Sequence, residues 1–350
     1  MTYKVIQWAT GAMGKNCLRA IIDHPELELA GLYVYSDSKK GRDAGEIAGR
    51  DSTGVAATSS VEEILNLDAD LVVHAARIQP PYTHHNKTIR QLLASGKNVI
   101  SINGHTYPKH WGNQYVGEFE AACEKGDSTL FGTGLNPGFI VEKIATTATG
   151  LCSRIDEIHI SETVECNMVR DANYVFDVLG FGTQFGAIDP NDPSWAPAEI
   201  LNGMYSEVVA QLVDRLGYQL DRVETDHLML PATTDITMAA GEIKAGSIGH
   251  TNWRWHGVVE NKQLVTLSIA WIMETAHLEN PDFNLWNVRI KGLPGVNIAI
   301  DLEKPKDYPY RTGAEELAVA ASVINSIPAV CRARPGILQI PVANHFRNVF

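Results

Sequence analysis

The first part of the chain alternates between short apolar runs and segments whose apolar residues recur at helical spacing. Apolar runs at residues 4–8, 27–34, 71–76, 98–102 and 129–131 predict strands. Residues 16–23, 82–94 and 116–124 predict helices between them, and Ser60 and Glu63 form a capping box that opens a further short helix. Strands that alternate with helices are typical of a parallel, doubly wound sheet.

The pattern changes after Pro137. Helices are predicted at residues 139–150, 197–216 and 313–329, and strands at 155–164, 222–230, 256–259, 264–273, 288–291 and 296–302. Few helices interrupt these strands, which favours a second, open sheet that is mixed or antiparallel. We therefore predict an α/β protein with a doubly wound domain over residues 1–135 and an α+β domain over 136–310. A C-terminal helix and tail over 311–350 should pack back on the first domain.

The turn after the first strand reads Ala9-Thr10-Gly11-Ala12-Met13-Gly14. It has the spacing of the dinucleotide-binding fingerprint, with alanine at the first glycine position. The second glycine lets the backbone approach a pyrophosphate, the third lets the helix pack on the strand, and the helix N-terminus presents N–H groups to the anion. We therefore predict a Rossmann domain in which Thr10, Gly11, Ala12, Met13 and Gly14 bind a dinucleotide.

Open parallel sheets bind their ligands beyond the carboxyl ends of the strands. Three further strand ends are therefore predicted to contribute to the cofactor site. They are Ala75-Ala76-Arg77, the segment that begins at Ser101, and the turn Asn136-Pro137-Gly138.

The end of the second strand bears on the choice of cofactor. It lacks the acidic residue that usually holds an adenosine ribose and offers Ser36, Ser38 and Lys39 instead. Hydroxyl and ammonium groups favour a 2′-phosphate, whereas Asp37 would favour the unphosphorylated ribose of NAD. We predict NADP as the cofactor, with NAD tolerated.

Composition narrows the function classes. A net charge of −12 argues against a general affinity for nucleic acid, because that affinity rests on replacing counterions along a phosphate backbone. The five cysteines contain no CxxC pair, which favours a reducing compartment. With no signal-peptide pattern and no apolar run approaching ~20 residues, we expect a cytoplasmic protein outside the membrane. The histidine spacings lack paired acids or cysteines, so no metal site is predicted.

Several segments resemble one known group of enzymes. The Gly11–Gly14 turn and the segment Gly132-Thr133-Gly134-Leu135-Asn136-Pro137-Gly138-Phe139 resemble the dihydrodipicolinate-reductase-like superfamily, and most closely its branch of native amine dehydrogenases and 2,4-diaminopentanoate dehydrogenase. The resemblance extends through residues 33–45, 177–182 and 327–337. It implies an NAD(P)H-dependent homodimer with a Rossmann domain and a mixed-sheet substrate domain.

The resemblance also implies a reaction. In this family a small ketone or aldehyde and ammonia are converted reversibly to an amine. By the same resemblance, Asn136, Pro137 and Gly138 would line the nicotinamide. An apolar substrate pocket would be lined by Phe139, Ile140, Met168, Tyr174, Leu179 and Met204.

One departure from the family concerns the catalytic acid. Native amine dehydrogenases carry a glutamate just after the strand that is predicted to end here at Ile102, and its carboxylate binds the ammonia or amine. The segment from Ser101 to Tyr107 contains no acid, and the alignment puts Gly104 or Asn103 at that position. Without a carboxylate this loop cannot deprotonate an ammonium ion or stabilise an iminium ion.

The loop offers other titratable groups. His105 and Tyr107 follow the strand end and are the candidates for a proton donor or acceptor. The missing carboxylate leaves two alternatives to an amine dehydrogenase open. One is an alcohol dehydrogenase or a carbonyl or imine reductase on the same scaffold, and the other is a non-catalytic NAD(P) sensor.

Overall fold

The computed structural model of the protein describes residues 2–273 and 285–349. Along the described chain the helices are α1 (Ala12–Asp23), α2 (Ala44–Ala48), α3 (Val61–Asn66), α4 (Asn86–Ala94), α5 (Asn113–Gly126), α6 (Thr146–Thr149), α7 (Ala196–Arg215) and α8 (Ala314–Cys331). Short 3₁₀ turns lie at Asp37–Lys39, Tyr82–His85 and Pro108–Trp111, and wider helical segments at Leu135–Ala145 and Asn173–Val178.

The strands divide between an N-terminal and a central group, with one short strand near the C-terminus. They are β1 (Tyr3–Trp8), β2 (Leu27–Tyr33), β3 (Ala57–Thr58), β4 (Leu71–His74), β5 (Asn98–Ser101), β6 (Thr129–Gly132), β7 (Arg154–Glu165), β8 (Arg222–Thr225), β9 (Leu228–Pro231), β10 (Ile236–Met238), β11 (Gly241–Ile243), β12 (Ile248–Val259), β13 (Lys262–Ile272), β14 (Trp286–Leu293), β15 (Val296–Ile300) and β16 (Gly336–Ile337).

The chain forms two compact units. Residues 1–77, 83–140 and 303–341 make up the first, and residues 78–82, 141–302 and 342–350 the second. The predicted divisions lay after residues 135 and 310, so the first unit extends slightly further at both places. The tail after residue 341, which we expected on the first domain, belongs to the second unit.

The first unit is built on a seven-stranded parallel sheet in the order β16-β6-β5-β4-β1-β2-β3. The strand order reverses between β1 and β4, which makes their carboxyl ends the topological switch point of the sheet. Helices α1 and α8 cover one face of the sheet, and α3, α4 and α5 cover the other. Both faces are buried, which explains why the strands read as nearly continuous apolar runs.

Helix α8 is the part of the described chain that is long and apolar enough, by length and composition, to cross a membrane. We expected no such segment. Its side chains Ala320, Val323, Ile327 and Val330 are buried in one hydrophobic cluster with residues of α1 and the sheet. Burial of this face explains the apolar composition as that of a core helix.

The second unit contains a mixed sheet in the order β15-β14-β7-β13-β12-β8, with β9 also paired to β12. Strands β7 and β13 are parallel and the other neighbours on this path are antiparallel. Helix α7 packs on β12 and β13, and β10 and β11 form a separate hairpin. The predicted α/β class, with one doubly wound parallel sheet and one mixed sheet, is confirmed.

Two predicted elements differ from the structure in an instructive way. Strand β12 begins at Ile248, eight residues before the predicted start at 256. The prediction started too late because the polar residues Asn252 and Arg254 interrupt the apolar run, although they alternate with the buried tryptophans Trp253 and Trp255. Helix α1 begins at Ala12 rather than at residue 16, because Gly11 takes the N-cap position and the fingerprint residues after it are already helical.

Candidate active site

The predicted cofactor residues follow adjacent strands of the first unit. The last residues of β2, β1, β4, β5 and β6 lie in register across the sheet: Tyr33, Trp8, His74, Ser101 and Gly132. The segments that follow them therefore start at the same edge of the sheet. That edge brings together Thr10–Gly14, Ser36–Lys39, Ala75–Arg77, the segment after Ser101 and the turn Asn136–Gly138.

The fingerprint turn depends on close packing between α1 and β1. A Cβ atom at Gly14 would overlap the carbonyl oxygen of Ala9, so only glycine lets the helix approach the strand this closely. Ala9 occupies the first fingerprint position with φ +72°, in the left-handed region that glycine adopts most easily. The buried Gln7 side chain supports this turn, because its Nε2 donates to the Ala9 carbonyl at 2.9 Å.

The N-terminus of α1 is open toward the solvent. Gly11 is the N-cap and offers no side chain to cap the helix, and a Cβ atom there would meet nothing within 4 Å. Both Gly11 and Ala12 are exposed, and Met13 is half-buried. A helix N-terminus with exposed N–H groups and no capping side chain fits a pyrophosphate, as the fingerprint predicts.

Lys39 brings a positive charge to this turn. Its ammonium group donates to the carbonyl oxygen of Thr10 at 3.1 Å and to the Thr10 hydroxyl at 2.9 Å. Burial lowers the pKa of Lys39, and the nearby charges of Lys15 and Arg42 lower it further. Lys39, at Thr10, and Lys15, in the first turn of α1, place positive charge beside the open end of this helix, which makes this corner of the first unit attractive to phosphate groups.

Ser36 and Ser38 precede Lys39 in the same short turn of the sequence. Both side chains are exposed, and their Oγ atoms are 2.7 Å apart. Two exposed hydroxyls at the end of β2 can donate to the phosphate of NADP. Asp37, which would favour NAD, lies between them in the same exposed turn.

The segment after β5 carries Asn103 and Gly104, the two candidates for the missing acid position. Gly104 is buried with φ +98°, so an L side chain would be strained there. Asn103 is half-buried, and its amide nitrogen donates to the carbonyl oxygen of Ala76 at the end of β4. The structure therefore argues against Gly104 and favours Asn103 as the position where a carboxylate would face this edge.

His105 is held inside the first unit rather than presented to a substrate. Its side chain is buried, its Nε2 lies 3.0 Å from Asn86 Oδ1, and its Nδ1 lies 3.0 Å from the Ser101 hydroxyl. Burial, together with the charge of His85, lowers the pKa of His105 to about 3. Because both ring nitrogens are engaged inside the first unit and burial disfavours the protonated ring, the geometry does not favour the catalytic part that we predicted for His105.

Ser101 and Tyr107 flank this histidine in the sequence. The Ser101 hydroxyl lies within hydrogen-bond distance of His105 Nδ1. Its side chain therefore stabilises this loop, which leaves it less available to contact a cofactor. Tyr107 is half-buried and precedes the short 3₁₀ turn at Pro108–Trp111. Its part in proton transfer stays a prediction.

Helix α8 contacts the backbone just before the turn Asn136–Gly138. Asn136 is half-buried, whereas Pro137 and Gly138 are buried, and Gly138 has φ +128°. The Gly134 carbonyl accepts from the Phe139 N–H at 3.1 Å and from the Ser322 hydroxyl of α8 at 3.0 Å. Ser322 was not predicted, since no local signal connects it to a turn so distant in sequence.

The predicted substrate residues differ in exposure. Within the first unit Phe139 is half-buried and Ile140 is buried. Within the second unit Leu179 and Met204 are buried and Tyr174 is half-buried, whereas Met168 is 72% exposed. This exposure argues against Met168 as a lining residue of an apolar pocket. The roles of the other five residues in a substrate pocket stay predictions.

Comparisons with known proteins agree with this architecture. Residues 5–101 match the family model described as dihydrodipicolinate reductase, N-terminus. An amine dehydrogenase of Streptomyces virginiae is 25% identical over 96% of this chain and 96% of its own length. A 2,4-diaminopentanoate dehydrogenase of Acetoanaerobium sticklandii is 23% identical over 73% of this chain and 69% of its own. The structure of the Mycobacterium smegmatis amine dehydrogenase superposes with a TM-score of 0.76 at 18% identity, covering 99% of both chains.

The resemblance inferred from the motifs is confirmed. The chain is an amine dehydrogenase-like oxidoreductase. A nicotinamide cofactor follows from this relationship and from the fold.

This amine dehydrogenase-like chain provides no side-chain cluster for a metal ion in the part that the structure describes. Glu162, to which we assigned no role, shares its parity along β7 with Ile158 and Ile160 and lies on the face of the second unit's sheet that α7 covers.

Substitutions at the two fingerprint glycines should separate packing from cofactor binding. Gly14→Ala should destabilise the protein by about 1–3 kcal/mol, because the new methyl group overlaps the Ala9 carbonyl. Gly11→Ala should cost less than about 1 kcal/mol, because it only replaces an exposed N-cap. Chemical denaturation measures both changes, and fluorescence titration should show weaker NADPH binding in both variants. Equal stability losses would contradict this account of the turn.

Proposed function

We propose that the protein catalyses the reversible, NADP-linked conversion of a small ketone or aldehyde and ammonia into an amine. The observation that carries the proposal is the amine dehydrogenase relative that matches 96% of this chain and 96% of its own length. The open N-terminus of α1 and the cationic corner at Lys39 support it, since both fit a phosphorylated dinucleotide. A cytoplasmic homodimer with no nucleic-acid or membrane partner is part of this proposal.

The residues at the sheet edge suit hydride transfer. Bound NADPH would supply the hydride to the carbon of a carbonyl or imine. Gly11 and the N–H groups of α1 would hold the pyrophosphate, and Lys39, Ser36 and Ser38 the 2′-phosphate. The turn Asn136–Gly138 would position the nicotinamide ring of the cofactor. The Ser322 hydroxyl supports the backbone just before this turn by donating to the Gly134 carbonyl.

A second candidate function rests on the segment after β5. Residues 101–107 contain no carboxylate, and the histidine among them, His105, is buried with its pKa lowered to about 3. An enzyme that reduces a carbonyl group or a preformed imine does not need to bind and deprotonate an ammonium ion. The alternative is therefore a carbonyl or imine reductase on the same scaffold.

A single assay distinguishes the two. NADPH oxidation is followed with a panel of small ketones and aldehydes, with and without ammonium chloride, and the products are identified by mass spectrometry. The proposal expects amine products and a rate that depends on ammonium. Alcohol products at a rate that ammonium leaves unchanged would establish the carbonyl reductase instead.

Lys39→Ala tests the cofactor assignment. Loss of one charge-assisted contact should weaken NADPH binding by roughly tenfold, with a much smaller change for NADH. Lys40→Ala is the matched control, because Lys40 is an exposed neighbour with the same charge. The dissociation constants of both nucleotides are measured by fluorescence quenching. A parallel loss for NADH and NADPH would remove Lys39 from 2′-phosphate recognition.

Asn103→Glu tests which position lacks the acid. A carboxylate at half-buried Asn103 should raise the ammonium-dependent rate, by up to ~10²-fold for a well-placed acid or base. Gly104→Glu should instead lower the melting temperature without raising that rate, since Gly104 has φ +98°. A rate increase in Gly104→Glu and none in Asn103→Glu would reverse the assignment.

A further inference from the structure

The turn after β2 begins with an aromatic side chain that faces the solvent. Tyr35 is 54% exposed, which is the largest exposed fraction of a bulky apolar side chain among the described residues of the first unit. A single exposed apolar residue is ordinary on a protein surface. Tyr35 differs from an ordinary surface residue because its ring is fixed and because it lies at the predicted cofactor edge.

The Tyr35 ring is fixed from the protein side. Its hydroxyl accepts a hydrogen bond from Trp8 Nε1 at 3.0 Å, and Trp8 is buried. The ring of Tyr33 contacts it at 88° with ring centroids 5.1 Å apart, and Tyr33 in turn stacks on Trp8 at 3.8 Å. A T-shaped contact occupies at most one face of the Tyr35 ring. A fixed ring with an open face is preorganised for a flat ligand, because little rotamer entropy is lost on binding.

The turn that Tyr35 opens is attached at both ends to the residues before α1. At its start, the Tyr35 hydroxyl is bound to Trp8, the last residue of β1. At its end, the Lys39 ammonium group donates to the carbonyl oxygen and to the hydroxyl of Thr10. Both attachments are within three residues of the helix N-cap at Gly11. The Tyr35 ring therefore lies beside the place where the fingerprint predicts a pyrophosphate.

The two attachments lead to opposite faces of the parallel sheet. Trp8 is part of the hydrophobic cluster on the face that α3, α4 and α5 cover. Thr10 leads into α1, which covers the other face. Ser36 and Ser38 lie between the two in the sequence. An adenosine 2′-phosphate has a matching arrangement, because its base and its phosphate leave the ribose in different directions.

The Tyr35 ring suits a base and not an anion. Burial raises the pKa of the Tyr35 hydroxyl, the hydrogen bond from Trp8 lowers it, and Tyr33 raises it further. The net shift is upward, so the hydroxyl is protonated and the ring uncharged at neutral pH. An uncharged aromatic face binds a nucleotide base by stacking, and the cations at Lys39 remain for the phosphate.

We propose that the adenine ring of the dinucleotide stacks on the open face of Tyr35. This rests on the nicotinamide dinucleotide of the proposed function and assigns the part of the site that binds its base. Stacking uses the π surface of the base and not its hydrogen-bonding edge, so the site should accept other purines. Tyr35 then binds NADP and NAD alike, whereas Lys39 distinguishes between them.

The first test compares substitutions at Tyr35. Tyr35→Ala should weaken NADPH binding roughly 5- to 150-fold, as expected when an aromatic stacking partner of a base is replaced by alanine. Tyr35→Phe should keep most of the affinity because the π face remains, and Tyr35→Leu should lose it although the side chain stays apolar. Tyr308→Ala is the matched control, because it removes a half-buried tyrosine of the same unit that follows β15. Calorimetry with the full-length protein measures each dissociation constant.

The second test separates the two halves of the cofactor. Adenosine 2′,5′-bisphosphate carries the adenine and the 2′-phosphate, whereas reduced nicotinamide mononucleotide carries neither. Tyr35→Ala should weaken binding of the first by the same factor as NADPH and leave the second unchanged. The ratio of the NADPH and NADH dissociation constants should also stay unchanged. An NADPH analogue with hypoxanthine in place of adenine should bind wild type within about threefold of NADPH, because both purines present a similar π surface.

Three outcomes would overturn the proposal. One is an unchanged affinity for NADPH in Tyr35→Ala. Equal losses in Tyr35→Phe and Tyr35→Leu would assign the effect to the hydroxyl and its bond to Trp8. A parallel loss of affinity for the nicotinamide mononucleotide would make Tyr35 a structural residue of this edge. Melting temperatures without ligand identify a variant that fails to fold, and the remaining pair of Tyr35 variants with and without a ring then decides.

Failure of this inference is distinguishable from failure of the proposed function. Calorimetry tests the stacking site without turnover, so a Tyr35-dependent affinity for NADPH would stand even if no amination were found. Amination by wild type together with unchanged NADPH affinity in Tyr35→Ala would keep the function and reject the stacking site.

Discussion

The structure of the first unit depends on the close approach of α1 to β1. Gly14 lies against the Ala9 carbonyl, where any side chain would overlap the backbone, and this contact sets where the helix begins. The N–H groups of the first turn are thereby placed at the edge where β1 and β4 diverge. The cationic corner at Lys39 is tied to the same turn through Thr10. The predicted nucleotide site therefore depends on the packing of Gly14 against Ala9 and on the positive charge of Lys39 beside the same turn.

Electrostatics at the predicted cofactor edge come from several elements of the first unit. The Lys39 ammonium group donates to the carbonyl oxygen and to the hydroxyl of Thr10, and the uncapped first turn of α1 adds N–H groups. Burial lowers the pKa of Lys39, and the charges of Lys15 and Arg42 lower it further. A cationic group beside an uncapped helix N-terminus suits a phosphate group.

The histidines show how burial changes the meaning of a residue type. His105 follows a critical strand end, which made it a reasonable candidate for proton transfer. In the folded protein, Asn86 and Ser101 contact its two ring nitrogens, and burial lowers its pKa to about 3. His74, at the end of β4, is also buried, and burial lowers its pKa well below the usual value. Burial therefore disfavours the charged form of both rings at these strand ends.

Local features of this protein could be predicted from the sequence, because they depend on residues close together in the chain. The glycine turn, the strand–helix alternation, the alternation of β7 and the family resemblance are of this kind. Tertiary structure alone decided which of those residues are buried and which are exposed. The left-handed φ of Gly104, the burial of His105 and the hydrogen bond from Ser322 to Gly134 depend on how distant segments pack together. Burial and register depend on packing between such segments, and no local pattern records them.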